Sequence, residues 1–239
     1  HHFIISHPHT DHYGGLEALL ESEIRVEHIY FNLPPDGMDD WNYKRQSFLR
    51  ILDRAKLTGS KLHNIGAGYS IGLPNSLFKV LYAHKQPTLG DGSKASINAY
   101  SLILQWNVGD FKVLFTGDLD EPLGRELAHL THLEADILKV PHHGATSVAP
   151  LEFFDRVAPS LNMFPSTSAL WIHPRVASVR SWTHKAGIYF CNNGLNGNVT
   201  LDILGSNLVS RSDRATTDCP DGLLSITPKR KLQRPAQRT

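Results

Sequence analysis

The chain has 239 residues, 41% of them hydrophobic, enough to bury the core of one enzyme-sized α/β domain. Lysine and arginine (24) nearly balance aspartate and glutamate (23), so no strong field of either sign marks it as a general polyanion binder. No apolar run approaches the ~18 residues of a membrane-spanning helix and no signal-peptide pattern opens the chain. The expectation is a soluble protein, with the cytoplasm the favoured compartment.

Residues 3–6, with Phe3, Ile4 and Ile5 in a row, read as a short buried strand. Directly after it stand His7-Pro8-His9-Thr10-Asp11-His12, and Tyr13-Gly14-Gly15 then lead into a helix over 15–22. The six residues therefore occupy a strand-to-helix loop. In extended backbone the side chains alternate, so His7, His9 and Asp11 can converge on one side, and His12 joins them where the loop curls into the helix. Imidazoles and a carboxylate without a thiolate suit zinc, and also manganese or iron. One such residue is usually bland, an aspartate before a helix being often just an N-cap. Four ligand types in six positions point to a metal.

Further along, strands are expected over 26–31, 77–83, 100–106, 111–116, 136–140, 161–164, 188–191 and 199–203. Helices are expected over 39–57, 121–130, 150–157 and 174–185. On the 39–57 helix, Trp41, Phe48, Leu49, Leu52 and Ala55 form a core-facing stripe. Its Lys44, Arg45, Arg50, Arg54 and Lys56 read as a solvated face rather than a contact to an anionic substrate. Asn192-Asn193-Gly194 and Asn196-Gly197 read as tight turns of a late hairpin. Cys191 and Cys219 stand far apart with no CxxC spacing, so they read as ordinary thiols. From Arg211 the pattern weakens, which divides the chain into a domain over 1–210 and a polar, basic C-terminal tail over 211–239. Lys229, Arg230, Lys231, Arg234 and Arg238 give that tail its charge, and a solvated, disordered end is the expectation.

The His7 to His12 run resembles the HxHxDH signature of the metallo-β-lactamase fold superfamily, in which Gly-Gly typically follows. Val113-Leu114-Phe115-Thr116-Gly117-Asp118 is similar to its strand ending in Gly-Asp, and Ile137-Leu138-Lys139-Val140-Pro141-His142-His143-Gly144 to its strand ending in His-His-Gly. The order and intervals of the three blocks match as well. The Pro-His-His-Gly ending and Asn98-Ala99-Tyr100-Ser101-Leu102-Ile103-Leu104 most resemble the hydrolase domain of ComEC-type competence proteins and their free-standing relatives.

This resemblance implies an α/β fold, an αββα sandwich of two mixed sheets with helices outside. Proteins of the fold begin with several strands ahead of the HxHxDH loop; this chain opens six residues before it and is expected to lack those first strands. The resemblance also implies one metal held by His7, His9 and Asp118, and a second held by Asp11, His12, Asp118 and one of His142 and His143, with His143 favoured. One or two Zn2+ ions are expected, with Mn2+ the alternative. Asn98 stands where many members carry a further histidine, which leaves the first site one imidazole short and richer in oxygen. His84 could substitute, although a surface-loop histidine is the preferred reading. His173, before Pro174, either gives a proton to a leaving group or caps the helix that Pro174 starts.

The implied activity is metal-assisted hydrolysis, in which divalent ions lower the pKa of a bound water so that hydroxide exists at working pH and Asp11 orients it. Phosphodiesters, either nucleic acid or small molecules, are the first substrate class. Lactams, lactones or thioesters come second, and an inactive metal-binding scaffold third.

Overall fold

The computed structural model describes residues 1–130, 132–145 and 148–229. They form two compact units, the first made of residues 1–69, 80–103 and 117–119, the second of 70–79, 104–116 and the described residues from 120 onward.

The first unit opens with β1 (His2–Ile4), α1 (Thr10–Tyr13), α2 (Gly15–Glu21), β2 (His28–Phe31), α3 (Arg45–Leu57) and β3 (Lys61–Asn64). The three strands make a parallel sheet in the order β1-β2-β3, with His2 beside His28 and Lys61 beside His28 on the other flank. Parallel neighbours need a crossover, and the helices supply it. Ile29, Tyr30 and Phe31 of β2 are all buried, Ile29 and Phe31 sharing one face of the strand. The Phe31 ring lies 5.9 Å from Phe48 of α3, and Tyr13 and Tyr43 pack on Phe48 at 5.0 and 6.2 Å. Phe48, Leu52 and Ala55, at helical spacing, are the buried stripe of α3. The other register of the sheet carries a column of rings: His2 stacks on His28 at 5.0 Å, His28 on His63 at 5.2 Å and Tyr30 on His63 at 4.7 Å. Lys61-Leu62-His63-Asn64 has one apolar residue, which is why β3 escapes a hydrophobicity reading.

Two expectations fail in this unit. The helix expected from residue 39 begins at Arg45. Asp40 Oδ1 accepts the backbone N–H groups of Asn42 (2.8 Å) and Tyr43 (2.7 Å), and Asp39 Oδ1 accepts that of Arg45 (3.0 Å). Local carboxylates thus take the donors that a longer helix would use. Trp41, expected on the core stripe, is consequently 88% exposed. His84 is the reverse case, buried rather than on the surface. Its Nδ1 meets the Tyr82 hydroxyl at 3.2 Å, its ring meets Tyr100 edge-on, and its carbonyl accepts from Asn32 Nδ2 at 3.0 Å.

The second unit holds β4 (Ser70–Leu73), most of β5 (Ser76–Tyr82) and of β6 (Ile103–Val108), whose residues 80–82 and 103 count with the first, then β7 (Phe111–Phe115), α4 (Glu121–Leu127), β8 (Ile137–Lys139), α5 (Leu151–Val157), β9 (Leu161–Phe164), α6 (Ser168–Ile172), α7 (Ala177–Lys185), β10 (Tyr189–Asn192), α8 (Asn193–Asn196), β11 (Val199–Leu204), β12 (Asn207–Ser212) and β13 (Gly222–Leu224). A seven-stranded sheet runs β10-β9-β8-β7-β6-β5-β4, and β11-β12-β13 form a separate antiparallel sheet. From β7 to β10 the pairing is parallel. Helices cover parallel sheets on both faces, so their strands read as near-continuous apolar runs, as Val113-Leu114-Phe115 and Ile137-Leu138 do. Phe111, Val113, Ile137, Leu161, Leu208 and Leu224 form its core with Cys191 and Cys219.

Those two cysteines correct the sequence reading: they form a disulfide, with their Cα atoms 5.0 Å apart. Spacing along the chain held no trace of it, because the partners meet only once β10 is in place. The hairpin turn expected near Asn193 is instead α8, whose first turn is capped where Asn192 Oδ1 accepts the Leu195 N–H at 3.1 Å. Residues 211–229 supply the end of β12, all of β13 and Cys219, and the Lys229 N–H donates to buried Asp136 at 2.8 Å. Arg230, Lys231, Arg234 and Arg238 lie outside the described residues. Among the described residues no helix is long and apolar enough to cross a membrane.

Candidate metal centre

In the first unit, chain reversal at α1 brings the histidines of the β1–α1 loop together. His7 is fully buried and His9 nearly so, whereas Asp11 faces solvent. The His7 and His12 rings lie 4.1 Å apart, centroid to centroid. Asp118 joins them from the residues that follow β7: its Oδ2 is 3.3 Å from His12 Nε2. His7, His12 and Asp118 each offer a ligand atom, all within 4.8 Å of one another. His9 approaches from the other side, its Nδ1 3.0 Å from His7 Nε2. Two nitrogens at that separation can share one cation, since bonds of about 2.0–2.1 Å to a single ion put cis nitrogens roughly 3 Å apart. Asp11 lies 3.6 Å from His12 through Oδ2.

Three residues outside the cluster orient its side chains, and the sequence reading named none of them for that role. Asp40 Oδ2 accepts the His9 Nε2–H at 2.9 Å, which leaves Nδ1 as the lone-pair nitrogen facing His7. Asn42 Nδ2 donates to Asp11 Oδ1 at 2.7 Å. Ser6 Oγ sits 3.1 Å from His12 Nδ1 and 3.4 Å from His7 Nδ1, so one hydroxyl beneath both rings sets which nitrogen each presents to the cluster. Asp40 and Asn42 lie 31 residues from the groups they hold, a distance that leaves no local pattern.

Asp118 is placed by a glycine that has no substitute. Gly117 has φ of +51°, and a Cβ there would stand 2.6 Å from Ser101 Oγ and 3.3 Å from Ser6 Cβ. The same Ser101 hydroxyl accepts the Asp118 N–H at 3.0 Å. Burial acts on Asp40 as well: desolvation, the largest single influence, pushes its carboxyl up, but the bonds from His9, Asn42 and Tyr43 together hold it below the usual range.

A family model for the metallo-beta-lactamase superfamily matches residues 1–153. The chain belongs to this superfamily. It is 27% identical over 157 residues to ComE operon protein 3 of Bacillus subtilis (strain 168), covering 65% of this chain and 18% of that protein. It is 26% identical over 156 residues to the uncharacterized protein YcaI of Escherichia coli (strain K12), covering 64% of this chain and 17% of that protein. The matched region thus spans less than a fifth of either relative. Among solved structures, CmlA, a diiron beta-hydroxylase from Streptomyces venezuelae, superposes at a TM-score of 0.50 with 12% identity, covering 78% of this chain and 41% of that one. The α/β, metallo-β-lactamase-like fold expected from the three motifs is therefore the fold of this chain.

The superfamily's His-His-Gly block lies in the second unit, on a 3-10 turn over Pro141–Gly144 that follows β8. Three successive left-handed residues build it: His142 (φ +46°), His143 (φ +57°) and Gly144 (φ +79°). Such backbone is costly for residues with a Cβ and is typical of functional sites. His143 Nδ1–H donates to the Pro165 carbonyl at 2.7 Å, which makes Nε2 its lone-pair nitrogen. The ring borders a cavity of about 610 Å³ shared with Ser166, Thr167 and Asn193. His173 is exposed and its Nδ1 accepts the Arg175 N–H at 3.2 Å, capping the 3-10 turn over Pro174–Val176. The capping half of the sequence expectation is thus visible. Asn98 lies on the 3-10 turn over Ile97–Tyr100, and its Oδ1 is a buried acceptor with no partner among the described residues.

Proposed function

We propose that the chain is a metal-dependent hydrolase acting on phosphodiesters. The observation that carries this reading is the convergence of His7, His12 and Asp118 within 4.8 Å, with His9 Nδ1 3.0 Å from His7. The donor set fits a divalent ion: imidazole nitrogens and carboxylate oxygens without sulfur, with outer partners that fix the tautomers. A bound ion supplies Lewis-acid polarisation of the ester and of a water molecule, and offsets negative charge as it develops.

The chain's own groups do the rest. Ser6 and Asp40 keep the three rings turned so that their lone pairs face the cluster. Asp11, exposed and held by Asn42, is the carboxylate placed to accept a proton from an attacking water. His143 is the metal-ligating residue of the Pro-His-His-Gly turn, since its Nδ1–H is committed to Pro165 and Nε2 carries the lone pair. His173, whose Nδ1 is taken as an acceptor, carries its neutral-state proton on Nε2 and is the donor proposed for the leaving oxygen. Zn2+ is the first candidate ion and Mn2+ the second, because Asn98 occupies the place of a histidine and leaves an oxygen-richer set. Nucleic acid or a small phosphodiester is the proposed substrate, the class implied by the resemblance of the Pro-His-His-Gly ending and of Asn98 to Leu104 to ComEC-type hydrolase domains. The Cys191–Cys219 disulfide favours an oxidising compartment over the cytoplasm.

The test is turnover of bis-p-nitrophenyl phosphate, single-stranded DNA and nitrocefin by the purified chain with Mn2+ or Zn2+. Phosphodiester turnover that Asp118→Ala abolishes supports the reading. Turnover of nitrocefin alone would move the chain to the lactam class, and bound metal with no turnover would make it a scaffold.

A further inference from the structure

Trp41 is 88% exposed, yet it is not on a loose loop. Its two neighbours in the chain are the residues that hold the metal cluster from outside: Asp40 accepts from His9 Nε2 at 2.9 Å, and Asn42 Nδ2 donates to Asp11 at 2.7 Å. The Asn42 carbonyl also accepts both the backbone N–H (3.2 Å) and the hydroxyl (2.9 Å) of Thr10. Asp40 further closes its own turn by accepting from the backbone N–H groups of Asn42 and Tyr43. The indole is therefore presented from a braced backbone, with its ring centroid 6.3 Å from that of His9 and tilted 40° to it. A large aromatic surface left in water beside a ligand cluster, on a segment fixed by that cluster, is a ready stacking platform.

We infer that Trp41 is the substrate-contacting residue that stacks on a nucleobase, or an equally flat heteroaromatic group, next to the scissile phosphodiester. This rests on the phosphodiesterase reading above and names its substrate class as nucleotidyl rather than aliphatic. Stacking suits a site of this kind because every base offers a π face, so affinity comes without sequence preference. The braced backbone matters equally, because a segment already fixed loses little freedom when the base arrives.

The experiment uses the full chain loaded with Mn2+ and two esters that share a leaving group: thymidine 5′-p-nitrophenyl phosphate and methyl p-nitrophenyl phosphate. Trp41→Ala is expected to raise KM for the thymidine ester about tenfold or more while leaving kcat/KM for the methyl ester within about twofold, and Trp41→Phe to recover most of the loss. A second readout needs no turnover: oligo(dT) added in EDTA should quench indole fluorescence saturably in the parent chain and not in Trp41→Ala. Equal losses on both esters, or quenching that survives Trp41→Ala, would overturn the stacking role while the phosphodiesterase reading stands. Quenching that depends on Trp41 with neither ester hydrolysed would overturn the reaction and keep the platform. Neither turnover nor quenching would overturn both.

Discussion

Asp40 receives the Nε2–H of His9 at 2.9 Å, and this one bond decides which nitrogen of His9 faces His7. Were the proton on Nδ1 instead, it would lie between Nδ1 and the His7 Nε2 lone pair, 3.0 Å apart, and close the place a shared cation would take. Carboxylates in this outer position commonly contribute 10- to 100-fold in metal affinity. Asp40→Ala is therefore expected to weaken Zn2+ binding by about that factor, read by calorimetric titration, with the far-ultraviolet circular dichroism unchanged. Unaltered affinity would show that the metal site does not use His9.

Gly117 offers a sharper structural test of the same centre. Its positive φ and the 2.6 Å approach that a Cβ would make to Ser101 Oγ predict that Gly117→Ala destabilises the chain by about 2 kcal/mol and displaces Asp118. Ser101→Gly in the same chain removes the obstructing side chain, so the double variant should recover part of the thermal stability. It should not recover full metal affinity, because the Asp118 N–H then lacks its hydroxyl acceptor. Additive losses in the double variant would place the strain elsewhere.

How much of this was legible in the sequence follows from the range of each interaction. His7, His9, Asp11 and His12 lie within six residues, and Asp118 and the His142-His143 pair follow strands whose apolar runs are unmistakable, so the candidate ligand types and their supporting strands could be read directly. The strands from β7 to β10 were found for the same reason. Asp40, Asn42 and Ser101 reach their partners across 31, 31 and 17 residues through individual hydrogen bonds, and no periodicity reports such a bond or the Ser6 hydroxyl set against two rings. Trp41 misled because the apolar spacing around it fits a helix, while the carboxylates of Asp39 and Asp40 capture the N–H groups that the helix would need. β12 and β13 were missed because β12 mixes Asn, Ser and Arg with its two apolar residues and β13 is only three residues long.

The disulfide carries its own prediction. It closes a loop of 28 residues in sequence separation between Cys191 and Cys219, both buried in the core of the second unit. On the chain-entropy account a loop of this size confers about 3–4 kcal/mol on the folded state. Cys219→Ser, or reduction of the parent chain, should lower stability by that order in urea unfolding and leave metal binding intact, since no candidate ligand lies in the loop. A chain that expresses with two titratable thiols and unchanged stability would remove the argument for an oxidising compartment.

The ring column on β1, β2 and β3 predicts how stability should respond to acid. His63 and His2 are both held below the ordinary histidine value of 6.5, chiefly by burial and then by the neighbouring His28. Lys61 adds to the depression at His63; at His2 the chain's amino terminus and His63 add to it, while Glu27 opposes it. A depressed histidine binds fewer protons in the folded chain than in the unfolded one, so protons favour unfolding over the interval between the two values. The contribution of His2 and His63 is therefore fully present above about pH 6.5 and is lost progressively as the pH falls from there through their folded values. His28 Nδ1 and His63 Nε2 lie 3.0 Å apart, and whichever of the two nitrogens accepts loses that bond once it is itself protonated. His63→Gln keeps a polar side chain at the position without a titrating ring. Its melting temperature should fall less steeply between pH 7.5 and 5 than that of the parent chain, although it starts lower for want of the stack on Tyr30. Parallel slopes in the two chains would assign the acid sensitivity to other groups and leave the column a packing device alone.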